Sequence, residues 1–324
     1  MYRTRRAVTG AALAIGALTV CAPGQAQDFP GRPVRFLLGS AAGSVPDVAT
    51  RQIAERLSPL LGQAVVVENR PSAGGIAALQ ALKASAPDGY TLSLVHVGNM
   101  SVAPSLFEKL PYDTLKDFTH VGIFWRGVQV LVANPRLAAT DLAGLIALAK
   151  TEPGRLRYSS PGNGTPTQLF MEQFNDAAGI SIQHIPYKGP AAHVAVLNGE
   201  VDVLLEGVEP LLPHIRAGKL KVLAVGGSRR IEVLPGVPTF EELGIPNIGT
   251  VWLGVVAPSG TPAPIVARLN RDLAAAVRSP DIVQSFERAG RLITPGTPQE
   301  MEDTIRDEIP HWREIIRRAN IKPD

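Results

Sequence analysis

The stretch RFLLGSAAGSVPDVATRQIAERL, Arg35 to Leu57, decides how the rest of the chain reads. An apolar run, Phe36-Leu37-Leu38, reaches Gly39, a loop of small residues follows, and a helical pattern opens near Pro46-Asp47. Strand, glycine loop and helix in that order aim free backbone N–H groups and the positive end of a helix dipole at one spot, where anions bind. The loop GSAAGSVPD only loosely resembles the dinucleotide fingerprint, which requires G-x-G-x-x-G. Glu68, closing the next expected strand, is the best point for a dehydrogenase. The missing glycines and an export signal stand against it. A Walker loop is absent, because no G-K-[ST] follows either glycine run.

Outward from that stretch, short β-rich runs alternate with amphipathic helical ones, which predicts an α/β fold with mainly parallel sheets. Strands are expected at 34–38, 64–68 and 91–95, with helices at 46–61 and 76–84 between them. After a connector, LPYDTLKDFTHVGIFW, the pattern restarts with a strand at 128–133 and a helix capped by Asp141. RYSS is a strand, PGNGTPT a loop and 168–178 a helix, followed by strands at 182–185, 201–205, 221–225 and 251–257. Pro262, Pro280 and Pro298 stand where helices of the C-terminal tail begin, since a missing N–H costs nothing there. The tail is too helix-rich to carry its own sheet and is expected to return to the first domain.

The second loop, Ser159-Ser160-Pro161-Gly162-Asn163-Gly164-Thr165-Pro166-Thr167-Gln168, echoes the first. Both follow a strand, both open a helix, and both use small residues that admit a ligand close to the backbone. Ser40, Ser44, Thr165 and Thr167 supply hydroxyls that can donate to a carboxylate. Either loop alone can be a plain βα turn, and Asp47 can serve only the helix dipole. Facing each other across a cleft, the two loops suit a small anion held from both sides.

The 324 residues suffice for two domains with full cores. Residues 1–26 read as a secretory signal: Arg3, Arg5 and Arg6, an apolar run from Ala7 to Val20, then Gly24-Gln25-Ala26 at the cleavage point. Sec and twin-arginine export both remain open. The formal charge of +3 matches those three arginines, so a mature chain is neutral and offers no argument for nucleic acid. The one cysteine, Cys21, lies in the signal. The six histidines have no ligand spacing and there is no G-x-S-x-G elbow, so no metal, cofactor or catalytic residue is expected.

Longer blocks resemble the tripartite tricarboxylate transporter receptor family, the Bug solute-binding proteins. VVVENRPSAGG (Val65–Gly75), PDGYTL (Pro87–Leu92), LPYDTLKDF (Leu110–Phe118) and HIPYKG (His184–Gly189) carry the resemblance. NGEVDV (Asn198–Val203), IRAGKLKVLAV (Ile215–Val225), LPGVPTFEELG (Leu234–Gly244) and the WLGVVAPSGTP block (Trp252–Pro262) continue it in the same order. The resemblance implies a Venus-flytrap receptor of the type II periplasmic binding protein architecture, two Rossmann-like domains joined by crossing strands. Domain 1 is expected at 27–125 plus 254–324 and domain 2 at 126–253. It implies a monomer in the periplasm, no enzymatic activity, a small organic carboxylate as ligand (a di- or tricarboxylate, an amino acid or an aromatic acid) and a tripartite-type membrane permease as partner. A secreted α/β enzyme acting on a carboxylated substrate is the alternative.

The implied ligand-binding residues are Gly39, Ser40, Ala42, Gly43, Ser44 and Asp47 in the first loop and Ser160, Gly162, Asn163, Gly164, Thr165 and Gln168 in the second. Asn99, Tyr187 and Glu206 complete the set. Ser44 stands where the family carries glycine, Gln168 where it carries histidine, and Glu206 where it carries aspartate. An inward Glu206 favours a ligand with an amino group or a protonated partner over a second carboxylate; an outward one is a surface acid on a turn.

Overall fold

The computed structural model describes residues 29–245 and 248–322. The export signal expected at residues 1–26 lies outside them. The first unit matches the sequence reading: β1 (Val34–Leu38), α1 (Val45–Leu61), β2 (Val65–Asn69), α2 (Ile76–Lys83) and β3 (Thr91–His96), with β1 parallel to both neighbours. A π-helical turn at Gly98–Val102 and a short helix α3 (Ala103–Leu106) follow.

β4 (Phe118–Ala133) is sixteen residues long and takes in half of what reads as a connector. Its residues are mostly buried, so no apolar–polar alternation marks its first half. Gly122 also interrupts it, at a register shift where φ is +153° and a Cβ would meet the Gly296 carbonyl oxygen at 2.7 Å.

The chain continues through α4 (Leu142–Thr151), β5 (Arg157–Ser160), α5 (Pro166–Ala178), β6 (Gln183–Pro186), α6 (Ala191–Asn198), β7 (Val203–Gly207), α7 (Val208–Arg216) and β8 (Lys221–Val225). It closes with β9 (Thr250–Pro258), α8 (Ala263–Val277), α9 (Pro280–Arg288), β10 (Arg291–Ile293) and α10 (Pro298–Arg318). Asp141 caps α4 as expected, accepting from the Gly144 N–H at 2.7 Å.

The strands form one hydrogen-bonded sheet in the order β2-β1-β3-β9-β4-β7-β5-β6, with β8 and β10 also pairing β4. It is mixed, which corrects the mainly parallel expectation. β1 with β2 and β3, and β5 with β6 and β7, are parallel; β9 against β3, and β4 against β7, β8, β9 and β10, are antiparallel. The reversal comes from β4 and β9, the two long strands that carry the chain between the units. β4 pairs β9 from Phe118 to Val128, then β7 from Gln129 to Ala133.

The two faces of the sheet are packed differently. On one face a single apolar cluster runs across both units, from Leu37 and Leu79 to Tyr158, Phe174 and Trp312. On the other face the core is split. One cluster holds Phe36, Ile53, Trp125 and Leu273, and a separate one holds Val128, Val130, Leu204 and Leu211. The tail does more than complete the first unit. Besides α8 against α1, α10 reaches α5 through Trp312 on Phe170 (ring centroids 5.5 Å apart) and Arg318 on Asp176 (2.7 Å).

Candidate functional site

The two glycine loops are built alike. In each, a glycine just before the N-cap is left-handed, Gly43 at φ +78° and Gly164 at φ +69°. In each, the side chain at the third helical position reaches back for that glycine's N–H: Asp47 Oδ2 at 2.9 Å and Gln168 Oε1 at 2.7 Å. In each, the N-cap hydroxyl donates to the carbonyl three residues earlier, Ser44 to Ala41 at 2.7 Å and Thr165 to Gly162 at 2.8 Å. Neither hydroxyl oxygen accepts from the first turn of its helix.

Asp47 is the ionic anchor of the first loop. It is 3% exposed and accepts from Arg51 Nε at 3.1 Å and Asn69 Nδ2 at 2.8 Å as well as from Gly43. The Arg51 guanidinium, with those N–H donors, lowers its carboxyl to about 2 against the cost of burial. The second loop has a neutral equivalent. Gln168 Nε2 lies 3.1 Å from His184 Nδ1, and His184 Nε2 lies 2.6 Å from Ser160 Oγ, which donates to the Gly162 carbonyl at 2.8 Å. With the Gln168 oxygen facing the Gly164 N–H, the amide donates to Nδ1 and the ring proton sits on Nε2. His184, which sequence reasoning passed over, thus ties Ser160 and Gln168 into one chain of donors.

These bonds give several of the expected residues partners within the protein. Of the four hydroxyls expected to meet a carboxylate, Ser44 and Thr165 donate to backbone, and Thr167 donates to Glu206 Oε2 at 2.8 Å. Ser40 alone keeps a buried Oγ with no partner among the described residues. Gly39 has a packing reason: a Cβ there would stand 2.4 Å from Gly75 Cα. Ala42 is exposed, and Asn163 is half-buried and engaged. Asn99 is buried, its Oδ1 taking the His96 N–H at 2.9 Å. Tyr187 points its hydroxyl at Glu200, 3.4 Å away.

The break in the split core is a cleft of about 370 Å³. Its walls are apolar: Val45 and Ala49 of α1, Trp125 and Val128 of β4, Val251 and Leu253 of β9. Three helix starts border it, α1 at Val45-Pro46, α5 at Pro166 and α7 at Val208-Glu209-Pro210. None of their N-caps, Ser44, Thr165 or Gly207, makes a side-chain cap bond. Each first turn carries a proline without an N–H, Pro46, Pro166 and Pro210, so the donors that remain are the N–H groups of Val45 and Asp47, Thr167 and Gln168, and Val208 and Glu209, none of them bonded by its own N-cap side chain.

Of the expected site residues, Glu206 alone is in this lining, at the end of β7 where α7 begins. Its Oε2 takes the Thr167 hydroxyl and lies 3.8 Å from His193 Nε2. The other residues of the loops form the frame behind it. The wall residues His96, Trp125 and Arg291 carried no local motif, and the third helix start, although legible as a helix from Glu209, followed no glycine loop. Burial lowers His96 to about 4, and its Nδ1 accepts the Gly98 N–H at 3.1 Å, so the ring is neutral with its proton on Nε2. Arg291 is held by Glu209 at 2.6 Å and lies over the Phe286 ring.

A family model described as the tripartite tricarboxylate transporter family receptor matches residues 49–321. The chain is 37% identical over 306 residues to Protein BugT of Bordetella pertussis, covering 94% of each chain. Among solved structures it is similar to R. palustris Rpa4515 with adipate, at 31% identity and a TM-score of 0.76, covering 92% of this chain and all of that one. MatC from Rhodopseudomonas palustris with bound malate is similar at 30% identity and a TM-score of 0.71, covering 89% of this chain and all of that one. The family model runs through the second glycine loop, both long crossing strands and the helical tail, and the chain belongs to the tripartite tricarboxylate transporter receptor family.

Proposed function

We propose that this protein is a periplasmic solute-binding protein that captures a small organic carboxylate in the cleft and performs no chemistry on it. The observation that carries the reading is the meeting of three uncapped helix starts on one apolar cleft. Free first-turn N–H groups and aligned dipoles hold an anion without a cationic side chain. The family, and the adipate and malate bound by its similar structures, support a carboxylate as that anion.

The chain acts as two bodies, 27–125 plus 254–324 and 126–253, that close about the crossing strands β4 and β9. Closure follows because ligand bridging both bodies binds the closed state better. Residues 1–26 direct export, and a tripartite-type permease receives the loaded monomer.

The test is a thermal-shift panel on ligand-stripped protein with adipate, malate, citrate, amino acids and aromatic acids, followed by small-angle scattering. A cognate ligand at 100 times its dissociation constant adds about 2.7 kcal/mol to stability. It also reduces the radius of gyration and is recovered unchanged. A panel without a single stabilising carboxylate, or a ligand consumed during incubation, would refute the reading.

A further inference from the structure

The charges on the cleft wall do not suit a ligand that is anionic at both ends. Among the described residues that border the cleft, the charged side chains are Glu206, Glu209 and Arg291. Arg291 and Glu209 neutralise each other at 2.6 Å. His96 is held neutral by its burial and by its bond from the Gly98 N–H. Glu206 has no cationic partner: its Oε2 accepts from the Thr167 hydroxyl at 2.8 Å and its Oε1 from the Gly207 N–H at 3.3 Å, both neutral donors. Its nearest basic group among the described residues is the His193 ring at 3.8 Å, and no Lys or Arg reaches it. Its side chain is 21% exposed, so the carboxylate is only partly hydrated and repels a second one brought beside it.

Between Glu206 and the helix starts the surface is hydrocarbon. Val45, Trp125, Val128, Val208, Val251 and Leu253 all line the same space. A citrate-like ligand would have to strip water from charged groups against these walls and gain nothing in return. An aliphatic or aromatic body would instead bury its own apolar surface there.

We propose that the cleft of this protein selects a zwitterion with an apolar body, an α-amino acid bearing an aliphatic or aromatic side chain. The carboxylate lies on the helix starts, the ammonium faces Glu206, and the side chain fills the space along Trp125 and Leu253. Thr167 holds the Glu206 carboxylate in place from the side by donating to Oε2. The inference rests on the reading of the cleft as a carboxylate receptor and narrows its ligand.

The test is calorimetry on the full chain with paired probes. Leucine is compared with 4-methylpentanoate and phenylalanine with 3-phenylpropanoate, each pair differing only in the ammonium group, and adipate and malate complete the set. At least one amino acid is expected to bind about 100-fold more tightly than its partner lacking the amine. Glu206→Gln should cut that ratio at least about tenfold, since it removes one member of a charge pair. The unliganded melting curve of the variant serves as the control for folding. Adipate or malate binding better than every amino acid, or a ratio unmoved by Glu206→Gln, overturns the inference while leaving a carboxylate receptor standing. Failure of every probe to bind overturns the inference, and the carboxylate reading then stands or falls on the full thermal-shift panel.

Discussion

Asp47→Asn isolates the charge that holds the first loop together. The substitution keeps the shape of the side chain and removes its negative charge beside Arg51, Asn69 and the Gly43 N–H. Asp47 falls from 3.8 to about 2 in the folded protein, led by its bond to Arg51. At about 1.4 kcal/mol for each pH unit, the ionised form stabilises the fold by about 2 kcal/mol. The sign follows from the lowered value. The contribution is complete above the unfolded value near 3.8 and is lost as the pH falls through about 2. Urea unfolding of wild type and variant at pH 7, 5, 3 and 2 measures it. The gap between them should be about 2 kcal/mol at pH 7 and 5, about half of that at pH 3, and nearly closed at pH 2. A gap that stays constant from pH 5 to pH 2 would show that the variant loses packing or geometry and that the charge contributes nothing.

Three further outcomes are expected. Gly39→Ala places a Cβ 2.4 Å from Gly75 Cα, backbone against backbone, and should cost about 3 kcal/mol in urea unfolding; a loss below about 1 kcal/mol would mean that the Gly39 and Gly75 backbones are free to separate. Thr167→Val removes the hydroxyl given to Glu206 and should lower stability by about 1–2 kcal/mol, a loss that Thr167→Ser should largely restore when both are compared by thermal melting. Glu308, which accepts from Trp252 Nε1 at 2.9 Å, is raised above the ordinary carboxyl value by burial. Its stabilisation is complete below about 4.5 and is lost as pH rises through the folded value, so Glu308→Gln should gain on wild type between pH 4.5 and pH 8; melting-temperature differences that do not change over that range would contradict this.

Much of the scaffold was legible because its signals are local. Gly43 and Gly164 are left-handed just ahead of their helices, Asp141 caps α4, and Pro280 and Pro298 open α9 and α10. Each depends on the backbone preference of one residue and a few neighbours. The first half of β4 was not legible. A strand buried on both faces loses its period, and whether it is buried depends on β9, far away in sequence.

The candidate site divides along the same line. By itself the sequence determined the two loops, the helices they open and the family, because turn glycines, caps and ordered sequence blocks are properties of short segments. Tertiary structure alone decided which of these groups bond to one another and which residues border the cleft. Ser44, Ser160, Thr165 and Gln168 read as ligand donors in sequence, and in the structure each also bonds within or beside its loop, a partner that only the surrounding fold could choose. The cleft itself joins Val45, Trp125, Glu206, Leu253 and Arg291, brought together only because β4 leaves one unit and enters the other and the apolar core parts on that face of the sheet.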